Sequence, residues 1–370
     1  MKILINASLI RGGGAFQYTL SLLEEFRKED NYFFLVCVSP QIYSKINFDN
    51  FNDNFKFYCI DTSPLKIFFL RKYSKIREIE INENPDIVYS PFGPSFYVSK
   101  KNQVEGFGDG WCYNPNIFSR IKLGLFNYLK IRFLIFVKKK FIKKYPTKII
   151  VETNDAKTKI FKHIGINKKK IEVIGNTFGS HFYDHKPIGN NNTKDFKLLT
   201  LASYYVHKNL EIIPKVLNEL NKIKPNYFKF FLTLKNKEFK KFENIEGIYN
   251  LGVLNINECP MAYNNVDAMF LPSLLETFSA NYPEAMFMKK IIITSDLDFA
   301  KDICGNSAMY FNPMDPLDIA QKILQVSNNK ILSKNLIDNG TKRVAKFPTS
   351  EIRSKKILSV LKSLIIQTNE

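Results

Sequence analysis

Residues 267–285, with the sequence DAMFLPSLLETFSANYPEA, decide the fold. Their apolar run 268–271 ends at Pro272, which is typical of a short buried strand followed by a loop. Asn281 is predicted to cap a helix whose first turn contains Glu284. A strand, a loop and a helix start in this order form a common anion-binding geometry, because the first backbone N–H groups of a helix are unpaired.

Two carboxylates flank this loop. Glu276 follows the predicted strand, and Glu284 comes after seven intervening residues in the first helical turn. The order predicts that both face one ligand site. The alternative is that Glu284 only complements the helix dipole and that Glu276 is solvated.

The run PSLLETFSANYPEAM and its continuation KKIIITSDLDFAKDICGNSAMYFNPMDP resemble the C-terminal signature of the retaining GT-B glycosyltransferases of the group 1, family 4 type. In that family a Pro-Ser pair precedes a Glu, seven residues and a second Glu followed by Ala-Met. A strand then leads to a Gly-Asn-Ala stretch and an Asn/Asp-Pro. The resemblance extends more weakly over most of the chain. It implies an α/β GT-B fold, in which two doubly wound parallel-sheet, Rossmann-like domains face each other across a cleft.

The chain length of 370 residues agrees with two domains. Strand-like runs alternate with helical stretches, which predicts parallel sheets covered by helices. With the resemblance, the predicted parts are an acceptor-binding domain (1–180) containing a basic helix (120–145), a linker (181–195), a nucleotide-sugar-binding domain (196–349), and a C-terminal helix (350–370) packing back toward the first domain.

Gly12, Gly13 and Gly14 lie between a predicted first strand (2–6) and a predicted first helix (15–26). Glycines at this place let a phosphate or sugar approach the backbone. The dinucleotide-binding fingerprint is incomplete, because Gln17 stands where its third glycine belongs. In the family that the chain resembles, this loop faces the donor diphosphate and the acceptor.

Lys208 is predicted at the start of a helix, just after the strand 196–202. A lysine there suits a diphosphate, because its ammonium adds charge to the helix-end amides. The resemblance implies this role, usually shared with an upstream Arg. Ala202 or Ser203 occupies the Arg position, so Lys208 is expected to act alone or with His207. The alternative is a solvated lysine.

The resemblance also implies that Glu284 holds ribose hydroxyls and that Glu276 contacts hydroxyls of the donor sugar. Asp109 aligns with the Asp of a family His-Asp pair, whose His position is Gly108 here; an Asp in such a turn is otherwise a turn former. Three positions that are glycine in the family are Thr277, Ser279 and Lys289. The candidate catalytic residues are Glu276, Lys208 and Asp109, and the candidate donor-binding residues are Gly12, Gly13, Gly14, Lys208, His207, Glu276, Thr277, Phe278, Ser279, Asn281 and Glu284.

The net charge of +19 reflects either a compositional bias toward lysine or attraction to an anionic partner. Residues 120–148 contain ten Lys or Arg and no acidic residue, together with many Leu and Phe. They form either an ordinary domain helix with a solvated basic end or a surface helix that docks on anionic lipid. No nucleic-acid-binding module is recognisable, so no nucleic-acid partner is expected.

No apolar run reaches the roughly 20 residues that span a bilayer, and the N-terminus is not typical of a signal peptide. We therefore expect a cytoplasmic protein, peripheral on the inner face of the cytoplasmic membrane. The five cysteines are scattered, which argues against a disulfide framework or a zinc site. No metal and no cofactor are expected.

These observations predict a glycosyltransferase that moves a sugar from a nucleotide-diphosphate-sugar to a hydroxyl of a glycan or lipid-linked acceptor. The family context implies retention and a role in bacterial surface polysaccharide (lipopolysaccharide or capsule) or glycolipid assembly. The departing diphosphate would meet fixed positive groups. The alternatives are a sugar-nucleotide epimerase or hydrolase on the same fold and a non-catalytic basic protein that binds a membrane or a partner.

Overall fold

The computed structural model describes residues 1–69, 74–187 and 194–366, which fall into two compact units. The first unit consists of Met1–Tyr113, Ile131–Asn176 and the chain from Pro348 onward, and the second of Asn114–Lys130 and Thr177–Phe347. Residues 188–193 of the predicted linker and residues 367–370 of the predicted C-terminal helix lie outside the described residues.

Seven parallel strands form the sheet of the first unit, in the order β3-β2-β1-β4-β5-β6-β7. They are β1 (Lys2–Ala7), β2 (Phe33–Val38), β3 (Phe55–Cys59), β4 (Ile87–Ser90), β5 (Asn102–Gly106), β6 (Lys148–Val151) and β7 (Ile171–Val173). The central strands β1, β2 and β4 are apolar and almost completely buried, as expected for a parallel sheet covered on both faces.

Six parallel strands form the sheet of the second unit, in the order β10-β9-β8-β11-β12-β13. They are β8 (Phe196–Thr200), β9 (Phe228–Leu232), β10 (Ile248–Asn250), β11 (Ala268–Leu271), β12 (Ile291–Ser295) and β13 (Ala308–Phe311). The predicted class, two doubly wound parallel-sheet α/β domains, is confirmed.

Helices cover these sheets. In the first half of the chain they are α1 (Gly13–Phe26), α2 (Pro40–Tyr43), α3 (Pro64–Phe69), α4 (Lys75–Glu83), α5 (Gly110–Tyr113), α6 (Ile117–Leu123), α7 (Leu125–Lys144) and α8 (Asn154–Ile164). In the second half they are α9 (Ile213–Asn221), α10 (Asn236–Phe239), α11 (Cys259–Asn264), α12 (Asn281–Phe287), α13 (Asp298–Cys304), α14 (Pro316–Asn328), α15 (Lys330–Val344) and α16 (Ser350–Ile366). Short 3₁₀ turns occur at Phe48–Asn50, Lys168–Lys170, Ser180–Asp184, Val206–Lys208, Leu210–Ile212, Ile256–Glu258 and Gly305–Ser307.

The basic segment differs from its prediction. The sequence favoured one helix over 120–145, whereas the structure has α6 and α7, separated by Gly124 with φ +79°. A residue with positive φ is most often glycine, and such a residue commonly ends a helix. In addition, residues Asn114–Lys130 group with the second unit, although the sequence placed them in the first domain. No helix within the described residues is both long and apolar enough to span a membrane.

Helix α16 completes the core of the first unit. Its Ile357, Leu358, Leu361 and Leu364 are buried in that core with residues of β1, β2 and β4. The buried Arg353 donates from Nη1 to Asn176 Oδ1 (2.7 Å) and from Nη2 to a hydroxyl of α1. The helix is therefore attached by both apolar packing and directed hydrogen bonds.

Candidate functional site

Two loops of the second unit lie where a ligand site is expected in an open parallel sheet. The chain runs from β8 outward to β10 on one side and from β11 outward to β13 on the other, so the strand order reverses between β8 and β11. Ligands bind at the carboxyl ends of the strands at such a point. The loop after β8 (201–209) contains His207 and Lys208, and the loop after β11 (272–280) contains Glu276. The second loop is here called the donor loop, because the resemblance predicts that it meets the donor.

Lys208 and Glu276 join the two loops. The distance from Lys208 Nζ to Glu276 Oε1 is 2.5 Å, and the side chains are only 14% and 11% exposed. The predicted helix start at Lys208 is wrong in detail. Lys208 ends a 3₁₀ turn, Asn209 has φ +54°, and α9 begins only at Ile213 after a second 3₁₀ turn. The ammonium is thus held by a carboxylate rather than by its place at an α-helix N-terminus.

His207 contributes its main chain to the same junction. The Leu274 N–H donates to the carbonyl oxygen of His207 at 2.7 Å. The imidazole is stacked on Tyr205, with 5.5 Å between ring centroids and 8° between the planes. His207 and Lys208 therefore both contact the donor loop, one through its backbone and the other through its charge.

Asn281 also links the two loops, but not as predicted. It is the first residue of α12, and the preceding residue is Ala280, whose side chain cannot cap a helix. Asn281 Nδ2 instead donates to the carbonyl oxygen of Leu201 at 2.6 Å. The predicted N-cap is therefore wrong. An asparagine amide bonds to any backbone group within reach, and here the carbonyl at the end of β8 is that group.

Glu284 lies in the first turn of α12, where it is partly buried. The Tyr263 hydroxyl donates to Glu284 Oε2 at 3.0 Å. Burial raises the pKa of Glu284 to about 7, and the Tyr263 hydrogen bond opposes this only in part. The carboxyl group is consequently poised between its neutral and ionised forms near neutral pH.

Thr277, Phe278 and Ser279 shape the donor loop. Phe278 packs against the core of the second unit and meets Phe347 edge to face, with 6.2 Å between the ring centroids. Ser279 is buried, and its carbonyl oxygen accepts the Tyr282 N–H at 3.2 Å. Thr277 is partly buried between Glu276 and Phe278. Phe278 therefore anchors the donor loop to the core of the second unit by packing.

The first unit places Gly12, Gly13 and Gly14 at the start of α1, after β1. All three are exposed, and a Cβ added to any of them would have no atom within 4 Å. Only Gly13, with φ +71°, has a backbone conformation that favours glycine. The adjacent Arg11 donates to Asp61 Oδ1 (3.0 Å), which ties this glycine loop to the chain beyond β3.

Each carboxylate oxygen of Asp109 has a partner within the first unit. Its Oδ1 accepts the Trp111 N–H at 3.1 Å, and its Oδ2 lies 2.6 Å from Lys138 Nζ on α7. The carboxylate thus begins α5 and pairs with the basic helix, which matches the turn-former alternative. Gly108 precedes it as a partly buried residue.

Sequence reasoning missed two asparagines before α6. Asn116 Nδ2 donates to the Leu274 carbonyl oxygen at 2.5 Å, and Asn114 Nδ2 donates to the Glu276 carbonyl oxygen at 3.3 Å. The only signal was the residue type, because asparagine is favoured at helix N-caps, and the predicted helix began only at residue 120. In residues 1–69, 74–187 and 194–366, no three His, Cys, Asp or Glu side chains are grouped so that they could hold a metal ion.

Several solved structures share the fold of this chain, and some of them are described as glycosyltransferases. The chain aligns with a glycosyltransferase from Rickettsia africae (16% identity, 98% of each chain, TM-score 0.71). It also aligns with HepE of Anabaena, solved with UDP-glucose (13% identity, 98% of this chain and 100% of that one, TM-score 0.73). A third match is WaaG, a glycosyltransferase involved in lipopolysaccharide biosynthesis (11% identity, 98% and 99%, TM-score 0.70). The chain therefore has the GT-B fold.

Part of the sequence also matches a family model. Residues 183–343 match the model of the glycosyl transferases group 1. A comparison with curated protein sequences gave no significant match. The match lies within the second unit, Thr177–Phe347, and the predicted enzyme class, a glycosyltransferase, is confirmed.

Proposed function

We propose that this glycosyltransferase transfers a sugar from a nucleoside-diphosphate sugar to a hydroxyl of a glycan or lipid-linked acceptor, with retention at the anomeric carbon. The observation that carries the proposal is the Lys208–Glu276 pair at the point where the strand order reverses. HepE, which shares the fold, was solved with UDP-glucose, and this supports a nucleotide sugar as the donor. WaaG acts in lipopolysaccharide biosynthesis, and this supports a role in lipopolysaccharide, capsule or glycolipid assembly in bacteria.

Lys208 is suited to stabilise the leaving diphosphate. Negative charge grows on the diphosphate as the glycosidic bond breaks, and a fixed cation favours that transition state without reorganising. An ammonium has three N–H donors. One of them points to Glu276, which holds the group in place and leaves two donors for phosphate oxygens. In this proposal the charge is met by Lys208 and backbone amides, so no metal is required.

Glu276 would contact hydroxyls of the transferred sugar. Lys208 binds its Oε1, and a carboxylate has a second oxygen that accepts hydrogen bonds from vicinal hydroxyls. Glu284 would accept hydrogen bonds from the ribose diol. Because hydroxyl donors favour the ionised form, nucleotide binding should lower the pKa of Glu284 from about 7.

Helices α6 and α7 are proposed to dock on an anionic membrane surface at the cytoplasmic side. Phe126 and Phe133 are 80% and 74% exposed, which is unusual for large apolar side chains of a domain surface. Further exposed apolar residues are Ile117, Ile121, Leu125, Leu129, Leu134 and Phe136, and exposed basic residues are Arg120, Lys130, Arg132, Lys140, Lys143 and Lys144. Apolar and basic side chains without any acidic one complement lipids that carry negative headgroups.

The proposal is tested first by thermal unfolding with UDP, GDP and ADP, using wild type, Glu284→Ala and the control Glu246→Ala. Glu246 is an exposed glutamate of the same unit. A nucleotide at 100 times its Kd stabilises the folded state by about 2.7 kcal/mol. We expect a shift with one nucleotide that is lost in Glu284→Ala and kept in Glu246→Ala. No shift with any nucleotide would contradict the transferase proposal and favour a membrane- or partner-binding protein.

A second assay separates transfer from the alternative reactions on this fold. The sugar conjugate of the nucleotide that binds is incubated with and without an acceptor extract, and release of nucleoside diphosphate is measured. Release that depends on the acceptor supports transfer. Equal release without it would instead indicate a hydrolase, and conversion of the sugar without release an epimerase.

A further inference from the structure

The short segment before α6 holds the main chain of the donor loop. Asn116 and Asn114 donate to the carbonyl oxygens of Leu274 and Glu276, at 2.5 and 3.3 Å. All four residues belong to the second unit. Leu274 is completely buried, so water does not readily replace the amide as a partner for its carbonyl group.

These hydrogen bonds fix the chain on both sides of Leu275, directly where Glu276 begins. On the opposite side, the Leu274 N–H donates to His207, and the Glu276 carboxylate binds Lys208. The loop is therefore held from two directions, by the loop after β8 and by the segment before α6. A loop fixed in this way does not lose further backbone freedom when a ligand binds.

Asn116 is itself rigidly placed. Its Oδ1 accepts the Ser119 N–H at 2.9 Å and so caps α6, while Nδ2 of the same amide donates to the donor loop. Farther along α6, Lys122 Nζ lies 3.2 Å from Glu211 Oε2 in the same unit. Asp and Ser cap helices as well as Asn does, but neither presents an amide N–H beside the cap oxygen. The hydrogen bond to the donor loop therefore requires asparagine at position 116.

We propose that Asn116, with Asn114, is a positioning residue that holds the donor loop so that Glu276 meets the sugar of the donor. The proposal rests on the proposed function, because it assumes that Glu276 binds that sugar. It predicts that loss of the Asn116 amide weakens recognition of the sugar much more than recognition of the nucleotide. The nucleotide is assigned to other groups, namely Glu284 and Lys208.

The test uses Asn116→Asp in the whole 370-residue chain. This variant keeps the helix cap and removes the N–H that reaches Leu274. The control is Asn329→Asp, since Asn329 caps α15 in the same unit through the Leu332 N–H. The probes are the nucleoside diphosphate among UDP, GDP and ADP that binds wild type, and its glucose conjugate. Calorimetry gives both Kd values for each variant, and thermal unfolding checks the fold.

In Asn116→Asp we expect the Kd of the glucose conjugate to rise about tenfold and that of the nucleoside diphosphate to change less than about twofold, as for the loss of one well-placed hydrogen bond. Asn329→Asp should bind both probes as wild type does. Unchanged binding of the conjugate, or an equal loss of both probes, would overturn the positioning role. If wild type binds no nucleoside diphosphate, the proposed function itself fails, and this is seen without any variant.

Asn114→Ala is the second variant, because Asn114 does not cap a helix and its removal puts folding at less risk. Its hydrogen bond is longer, so a smaller rise of about threefold is expected for the glucose conjugate alone. If Asn116→Asp does not fold, an unchanged Kd of the conjugate in Asn114→Ala overturns the proposal by itself.

Discussion

Lys208 and Glu276 are 68 positions apart in the sequence, yet their ammonium and carboxylate groups are 2.5 Å apart and largely shielded from solvent. The pair connects the loops after two neighbouring strands, β8 and β11. Each partner compensates the charge of the other in a partly buried place before any ligand arrives. A cation held in this way is preorganised for a diphosphate.

Lys208→Ala should lower kcat/KM of transfer by roughly 10²- to 10³-fold, the usual effect of removing one group that stabilises developing negative charge. Steady-state kinetics with the donor identified by the nucleotide panel measure this. Lys215→Ala, an exposed lysine on α9, is the matched control and should have wild-type kinetics. Activity within about twofold of wild type in Lys208→Ala would show that the diphosphate is stabilised elsewhere.

Nucleotide affinity should increase as the pH rises through 7. Burial raises the pKa of Glu284 to about 7, and the ribose hydroxyls are expected to bind its ionised form. The Kd of the nucleoside diphosphate should fall several-fold from pH 6 to pH 8 in wild type, whereas Glu284→Gln should show no such change. A flat profile in wild type, measured by calorimetry, would argue against contact between this carboxylate and the nucleotide.

The stability of the ligand-free protein should change with pH in the opposite sense. The pKa of Glu284 is raised in the folded state, so the folded protein binds more protons than the unfolded one between about pH 4.5 and 7. The contribution of Glu284 to the free energy of unfolding therefore decreases as the pH rises through that range. Glu105, completely buried in β5, has a pKa raised by burial to about 7 and acts in the same direction. Between about pH 4.5 and 7 the Tm of Glu284→Gln should therefore fall less than that of wild type, but it should still fall because of Glu105. An equal fall in both proteins would show that Glu284 is not a titrating group.

The double variant Phe126→Ser with Phe133→Ser should bind anionic vesicles at least tenfold more weakly than wild type. Each side chain that enters the bilayer interface contributes up to about 1.5–3 kcal/mol. Both side chains are largely exposed, so the fold should be unaffected. Sedimentation with phosphatidylglycerol vesicles measures binding, and phosphatidylcholine vesicles report the contribution of charge. Ile331→Ser, at a 77% exposed residue of α15, serves as the control; a similar loss there would refute the proposed docking surface.

The variants Gly12→Ala and Gly13→Ala should distinguish two roles of the glycine loop. One is its backbone conformation, and the other is the approach of a ligand to its backbone. Gly13 has φ +71°, so alanine there should cost about 1–2 kcal/mol of stability, whereas Gly12 is extended and should tolerate alanine. If a phosphate or sugar approaches this loop, Gly12→Ala will lower activity while keeping the wild-type Tm. Wild-type kinetics in Gly12→Ala would show that no phosphate or sugar approaches this loop.

The sheets and most helices could be predicted because their signals are local. Buried parallel strands appear as short apolar runs, and β11 has the same bounds, 268–271, in prediction and structure. The C-terminal helix begins at Ser350 as predicted and is described as far as Ile366. The break at Gly124 had a local signal, a glycine inside a helical pattern, which was outweighed by the apolar and basic residues on both sides.

The contacts that organise the candidate site could not be predicted in the same way. Asn281 was predicted to cap a helix and does not, whereas Asn116 caps a helix that was predicted to begin later. Both amides bond to distant carbonyl groups. A single sequence does not show which carbonyl an amide will reach, because the partners are 80 and 158 positions away. The same reason hid the Lys208–Glu276 pair, although each residue was identified separately.

The chain passes between the two units four times, after Tyr113, Lys130, Asn176 and Phe347. A single cut after residue 176 would therefore give an N-terminal fragment that lacks α16. This fragment would also contain residues 114–130 without the donor loop that they hold. A chimera intended to exchange donor specificity between related enzymes should transplant residues 114–130 together with 177–347. Helix α16 should stay with the recipient, whose first core it completes.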